Sequence, residues 1–155
     1  MHLFKSKDNV YLYKEPKKYN MAIQKIEHLG IAVSDLSLAE EIFSKLLGLK
    51  AYKEEKVERE GVKTVFFQIG DTKIELLGGL NEESPVSKFI LKKGEGMHHI
   101  ALDVNDLEEE MKRLQKEGFI FIYDQPKEGA DNKLINFIHP KSTGGILVEL
   151  CEEKK

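Results

Sequence analysis

The sequence has one cysteine, Cys151, in 155 residues. An intramolecular disulfide and a cysteine-based zinc site are therefore both excluded, and a cytoplasmic location is the expectation. No uncharged apolar run approaches the ~20 residues that a membrane-crossing helix needs. Charge of one sign is also not in excess: 24 Lys and Arg against 27 Asp and Glu leave a net charge of -3. Such a balance offers no general attraction to nucleic acid or to an anionic membrane, so an anionic substrate has to be met by a local group of lysines. The first 20 residues carry five lysines but no apolar segment of the kind a secretory signal uses. They read as an appended arm, and Met21 reads as a second possible start, because regular patterning begins just after it. What is present, 41% hydrophobic and 33% charged residues, fits one soluble globular domain.

The chain repeats itself. Residues 28–36 read HLGIAVSDL and residues 99–107 read HIALDVNDL. His28 and His99, Val33 and Val104, Asp35 and Asp106, and Leu36 and Leu107 are identical pairs. Each aspartate stands where a helix N-cap belongs, its carboxylate able to accept from free backbone N–H groups. Helical periodicity follows in both copies, through Leu36, Ala39, Ile42, Phe43 and Leu46 and through Leu107, Met111 and Leu114. Gly48 and Gly118 are the expected ends. Strands are expected over Ala51–Val57, Val62–Ile69 and Thr72–Leu77 in the first copy, with Gly70-Asp71 as a tight turn. In the second copy they are expected over Phe119–Tyr123, Lys133–His139 and Gly145–Leu150. A linking helix over Ser84–Lys93 would carry Pro85 at its first position. The organisation is an extension over 1–22, one domain over 23–151 and a tail over 152–155. Within the domain, module one is 23–80, the linker 81–95 and module two 96–151. The fold class is α+β: two βαβββ modules forming one curved mixed sheet of about eight strands around a cleft.

Strand alternation then selects four residues. His28, Gly30 and Ala32 share a face, opposite Leu29, Ile31 and Val33. His99 and Ala101 share a face, opposite Ile100, Leu102 and Val104. The branched residues belong against the helices, which leaves each histidine on a face lined by small groups. Glu75 lies opposite Ile74 and Leu76, and Glu149 lies opposite Ile146, Val148 and Leu150. The His-to-Glu spacing is 47 residues in one copy and 50 in the other. A single histidine or glutamate on a strand is usually structural or solvated. The same two residue types at matched places in two copies instead make a mixed nitrogen and oxygen set suited to a divalent metal ion: Co, Zn, Ni, Mn or Fe. A one-residue slip would exchange His98 for His99. The repeat favours His99 and gives His98 to the helix side or to a hydrogen-bonding neighbour.

The segments IEHLGIAV (26–33), GDTKIELL (70–77), GEGMHHIA (94–101) and HPKSTGGILVEL (139–150), with ESPVSKFI (83–90) between them, resemble the vicinal-oxygen-chelate superfamily with its glyoxalase-like fold. Within that superfamily they resemble the methylmalonyl-CoA epimerases. The resemblance covers about residues 23–151 and implies metal ligands at His28, Glu75, His99 and Glu149, usually in a homodimer. It implies an isomerase that interconverts the stereoisomers of methylmalonyl-CoA, an acyl-CoA substrate, by proton abstraction through a metal-stabilised enolate. Some of these epimerases carry a catalytic glutamate where this chain has Thr64, which is no base at neutral pH. Glu75 and Glu149 are therefore the candidates for the two proton-transfer groups, with Glu75 as a ligand only as the alternative. Some members have glutamine at the position of Glu75. Lys141 and Ser142 are the candidates for holding the CoA tail or the acyl carboxylate; Lys92, Lys93, Lys127 and Lys133 are weaker ones. His139 and Cys151 read as packing residues. The same quartet also suits a glyoxalase I-type lactoylglutathione lyase, and the fold also suits a small-molecule-binding protein without catalysis.

Overall fold

A computed structural model describes residues 3–6, 9–12 and 22–154. Met21 lies outside the described residues. Strands β1 (Leu3–Ser6) and β2 (Asn9–Leu12) form a separate antiparallel pair. The main body follows in chain order: β3 (Ile23–Ala32), α1 (Leu36–Leu47), β4 (Lys53–Val57), β5 (Val62–Ile69), β6 (Thr72–Gly79), α2 (Pro85–Lys93), β7 (Gly96–Val104), α3 (Leu107–Lys116), β8 (Lys127–Glu128), β9 (Lys133–Ile138) and β10 (Val148–Glu153). Among the described residues no helix is long and apolar enough to cross a membrane.

The eight strands β3–β10 make one curled mixed sheet in the order β4-β5-β6-β3-β7-β10-β9-β8. From edge to centre the first module reads β4-β5-β6-β3 and the second β8-β9-β10-β7. The two halves are thus equivalent about an axis between the antiparallel strands β3 and β7. β3 runs parallel to β6, and β7 parallel to β10.

The helices form where the sequence places their signals. Asp35 accepts from the N–H of Leu38 and Asp106 from that of Glu109, both at 2.9 Å. α1 ends at Gly48 in the left-handed conformation (φ 67°), a geometry that glycine adopts without cost. α3 ends one residue earlier than expected, with Glu117 as its cap, and Gly118 follows with a positive φ. Ser84 caps α2, with Pro85 in its first turn. α1 covers Ile31, Val33, Val65, Phe67, Ile74 and Leu76. α3 covers Leu102, Val104, Ile138, Val148 and Leu150. The branched residues under α1 and α3 therefore take the outer face, as their alternation predicts, and the inner face carries the two histidines and two glutamates among further apolar side chains such as Val62, Leu77 and Ile135.

Two expected strands differ. The closing strand begins later, at Val148, and runs to Glu153, past the expected end at Leu150. Over Phe119–Tyr123 the ladder is reduced to a single bridge between Phe121 and Ile138. The cause is Asn136, which is fully buried and acts as a local substitute for a strand. Its side-chain oxygen accepts from the Tyr123 N–H at 3.2 Å, and its amide donates to the Tyr123 carbonyl at 2.8 Å. With those groups satisfied, the chain bends away, and the edge strand forms instead at Lys127–Glu128.

The β8–β9 turn ties the two sheet edges together. Asp131 and Asn132 both have positive φ (53° and 58°), the conformation of a tight hairpin turn that Asp and Asn tolerate. From there Asp131 accepts from Tyr52 Oη (2.8 Å), Lys53 Nζ (3.2 Å) and Lys73 Nζ (2.7 Å), while its own N–H donates to Glu55 (2.9 Å). Burial alone would raise the Asp131 carboxyl, but the hydrogen bonds from Lys73, Tyr52 and Lys53 hold it at about 2. A depressed carboxylate stabilises the fold above its ordinary titration range and loses that contribution as the pH falls toward 2. Asp131→Asn is expected to lower the unfolding free energy by about 1–3 kcal/mol at neutral pH. In urea unfolding series, the gap to the parent protein should narrow between about pH 4 and pH 2.

Candidate active site

The cross-strand register explains how the four predicted residues meet. Phe66 pairs with Glu75, Glu75 with Gly30, and Gly30 with His99. Related by the axis between the modules, Phe137 pairs with Glu149, Glu149 with Ala101, and Ala101 with His28. Each row thus carries the glutamate of one module and the histidine of the other, with a residue of minimal size between them. That residue has to be small. A Cβ at Gly30 would lie 2.2 Å from Cε1 of His99, so a side chain there would drive the imidazole out of position.

His28, His99 and Glu149 converge, their ligand atoms all within 4.8 Å of one another, and Glu75 stands against both imidazoles. Nε2 of His28 and Nε2 of His99 are 2.9 Å apart. The Glu75 carboxylate is 3.2 Å from the first and 3.4 Å from the second, and that of Glu149 is 3.7 and 3.2 Å away. All four residues are buried, each no more than 5% exposed. They form the floor of a cavity of about 270 Å3 whose walls include Val57, Val62, Leu77, Val86, Ile135 and Phe137.

The electrostatics of this floor call for a cation. Burial would lower the His28 and His99 imidazoles, yet the charges of Glu75 and Glu149 and their hydrogen bonds push both upward. Burial would raise the two carboxyls, yet the imidazoles hold Glu75 down and Glu149 at about 2. Positive charge, on the imidazoles or on an ion held by them, is therefore stabilised beside these carboxylates. Two nitrogen and two oxygen donors fit a divalent ion. The 2.9 Å between the ring nitrogens is a spacing open to two ligands of one ion, each about 2.1 Å from it.

Glu27 escapes the alternation argument, whereas His98 meets its expectation of a hydrogen-bonding neighbour and a helix beside it. Glu27 should point away from the cleft, yet it is buried beside His28 and its carboxylate accepts from His28 Nδ1. The pairing of β3 with β7 slips between Ile26 and His28, and this bulge turns Glu27 inward. With Nδ1 carrying the hydrogen, Nε2 keeps its lone pair for the floor of the cavity. Lys73 donates to the same carboxylate, and Glu27 titrates at about 2: burial raises it, while the hydrogen bonds from His28 and Lys73 pull it down. His98 sits at a second slip in the same pairing. It packs its ring edge on Phe89 of α2 and lines the cavity. Its Nδ1 lies 2.9 Å from Nδ1 of His99. Burial, and then the neighbouring His99, push His98 down to about 4, so it stays neutral and accepts from His99. Both imidazoles on the floor thus have their outer nitrogen engaged.

The remaining candidates lie elsewhere. Lys141 and Ser142 stand on a short 3-10 turn, Pro140–Ser142, and are not part of the cavity wall. The Ser142 hydroxyl accepts from the Ile120 N–H at 3.0 Å, while Lys141 is exposed. His139 caps that turn, its Nδ1 accepting from the Lys141 N–H at 3.1 Å. Lys133 does line the cavity but is ion-paired with Glu153. Lys127 lies over the Tyr123 ring at 4.4 Å. Cys151 is fully buried against Ala101 and Ile135, and burial pushes its thiol far above the ordinary range. Thr64 lines the cavity with its hydroxyl toward the Glu55 carbonyl.

Residues 27–137 match the glyoxalase/bleomycin resistance protein/dioxygenase superfamily. The chain is 42% identical over 132 residues to the uncharacterized protein YqjC of Bacillus subtilis, covering 85% of this chain and 94% of that one. It is 37% identical over 127 residues to the mitochondrial methylmalonyl-CoA epimerase of Homo sapiens, covering 81% of this chain and 72% of the relative. Among solved structures, a variant of Streptomyces coelicolor methylmalonyl-CoA epimerase in complex with 2-nitronate-propionyl-CoA superposes with a TM-score of 0.82 at 32% identity, over 84% of this chain and 95% of that one.

Proposed function

The chain belongs to the glyoxalase/bleomycin resistance protein/dioxygenase superfamily, and we propose that it acts there as a metal-dependent epimerase of methylmalonyl-CoA. The observation that carries this reading is the buried group of His28, His99 and Glu149, with Glu75 against both imidazoles, at the floor of a mostly apolar cavity. The similarity to epimerases that act on acyl-CoA thioesters supports the choice of substrate.

Epimerisation requires a proton to leave the carbon between the thioester and the carboxylate and a proton to return on the opposite face. A carboxylate with an ordinary pKa near ~4 is too weak a base to do this unaided. A divalent cation held by the four residues supplies positive charge against the negative charge that develops on the thioester oxygen. Glu27 and His98 fix the orientation of the two imidazoles. Val57, Val62, Leu77 and Val86 keep water from the reacting carbon. Glu149 receives the proton at one face. Glu75 holds the cation, and it remains the sequence-based candidate for the other face.

The CoA tail carries several negative charges, and exposed Lys141 is the residue proposed to meet them outside the cavity. Lys141→Ala is expected to raise KM for the thioester about 3–10-fold with kcat retained, as a contact made equally in ground and transition states would. An unchanged KM removes Lys141 from the site.

The decisive assay is turnover of methylmalonyl-CoA in deuterated water. Interconversion of the epimers with deuterium entering the α-position is the expected result. No turnover, together with thioester formation from methylglyoxal and glutathione, would replace this reading with the lyase one.

A further inference from the structure

Five carboxylates line the cavity: Glu27, Glu60, Glu75, Asp131 and Glu149. Four are engaged. Glu27 accepts from His28 and Lys73. Asp131 accepts from Lys73, Lys53 and Tyr52. Glu75 and Glu149 face both imidazoles. Glu60 has no hydrogen bond or ion pair with any described residue, although it is half-buried.

Its backbone is nonetheless fixed. Glu60 closes a 3-10 turn, Glu58–Glu60, between β4 and β5. Gly61 follows in the left-handed conformation (φ 64°), its N–H donating to the Glu58 carbonyl at 3.0 Å and its carbonyl accepting from Leu80 at 2.8 Å. The turn leads into β5, and Glu149 lies on β10. Between those strands stand β6, β3 and β7. Glu60 and Glu149 thus line one cavity from parts of the sheet that three strands separate. Burial raises the Glu60 carboxyl; Arg59 and Lys127 oppose that rise, and the charge of Glu149 adds to it. A carboxyl so placed keeps its proton to a higher pH than an ordinary surface glutamate, which suits a group that must deliver a proton to carbon.

We propose that Glu60 is the second proton-transfer group of this site, serving the face of the substrate's α-carbon opposite to Glu149. The proposal rests on the epimerase reading above and makes Glu75 a ligand only. In one direction the Glu149 carboxylate takes the α-proton as the C–H bond breaks, and the electron pair moves onto the thioester carbonyl. Protonated Glu60 then delivers its proton to the other face as the pair returns to carbon and the new C–H bond forms. The two carboxyls have then exchanged protonation states, and the reverse turnover or exchange with solvent resets them.

The test compares the metal-loaded parent protein with Glu60→Gln, Glu60→Asp and Glu58→Gln. Each epimer of methylmalonyl-CoA is supplied separately in deuterated water, and metal content is measured alongside. Glu60→Gln is expected to lose epimerisation by at least about 100-fold, to keep its metal, and still to wash out the α-proton of one epimer. Glu60→Asp should recover part of the rate. Glu58→Gln, on the exposed side of the same turn, should match the parent. Epimerisation by Glu60→Gln within about twofold of the parent overturns the proposal alone, as does equal loss of wash-out from both epimers. A parent protein that exchanges neither epimer overturns the epimerase reading, and the proposal with it.

Discussion

Replacing His99 by alanine is expected to lower the epimerisation rate by about 10^3-fold or more and to leave the purified protein without its metal ion. Three consequences of the geometry add up here. The substitution removes one of two nitrogen donors to the central point. It leaves Glu75, 3.4 Å from His99 Nε2, and Glu149, 3.2 Å from it, with half of the positive partner they share. It also opens a space between Gly30 and Phe137, whose ring stands edge-on to His99 at 5.9 Å. Loss of several kcal/mol of charge stabilisation in the transition state corresponds to a rate loss of this order. Elemental analysis and a steady-state assay are sufficient to check it. A His99→Ala protein that retains one ion per chain and full turnover would remove His99 from the site.

Replacing Glu149 by glutamine separates holding from proton transfer. The amide keeps the size of the carboxylate and can still present an oxygen to a cation, but it cannot accept a proton. Epimerisation is expected to fall by about 10^2–10^4-fold, with metal retained at weaker affinity. Wash-out of the α-proton should persist from one epimer only, because the group serving the other face is untouched. The epimer that still exchanges should be the opposite of the one that survives in Glu60→Gln. Full epimerisation by Glu149→Gln would show that this carboxylate is a ligand and nothing more.

The site was legible in the sequence because duplication converts weak signals into a joint one. His28 or Glu75 alone says little. His28 with His99, and Glu75 with Glu149, at matched places on strands of the same parity, require two modules to bring them together, and the observed register does so row by row. Helix caps at Asp35 and Asp106 were legible because they depend only on local chemistry. What escaped depended on departures from regularity. Glu27 lies at a slip in the β3–β7 pairing, where alternation fails, while His98, at another slip, keeps the hydrogen-bonding neighbour expected of it. The lost strand over 119–123 depended on one buried amide, Asn136, which satisfies backbone groups that a ladder would otherwise need. Glu60, proposed above for the second face, has no sequence signature as a lone acidic residue in a hairpin turn; its place on the cavity wall without a partner among the described residues distinguishes it.

The two rows also give Gly30 and Ala101 a common physical role. Both are spacers that let a histidine of one half reach past a central strand toward a glutamate of the other, and both are fully shielded from solvent at the seam between modules. A pocket built this way has its chemistry where the two halves meet, so neither half holds a complete site.

The central claim is that these two halves together hold one divalent ion, without which the α-proton does not move. The most direct measurement strips the protein with a chelator and follows deuterium uptake by methylmalonyl-CoA before and after a divalent metal is returned. The account predicts no uptake by the stripped protein and full recovery at one equivalent of metal per chain. Undiminished uptake by protein shown to be free of metal would contradict it.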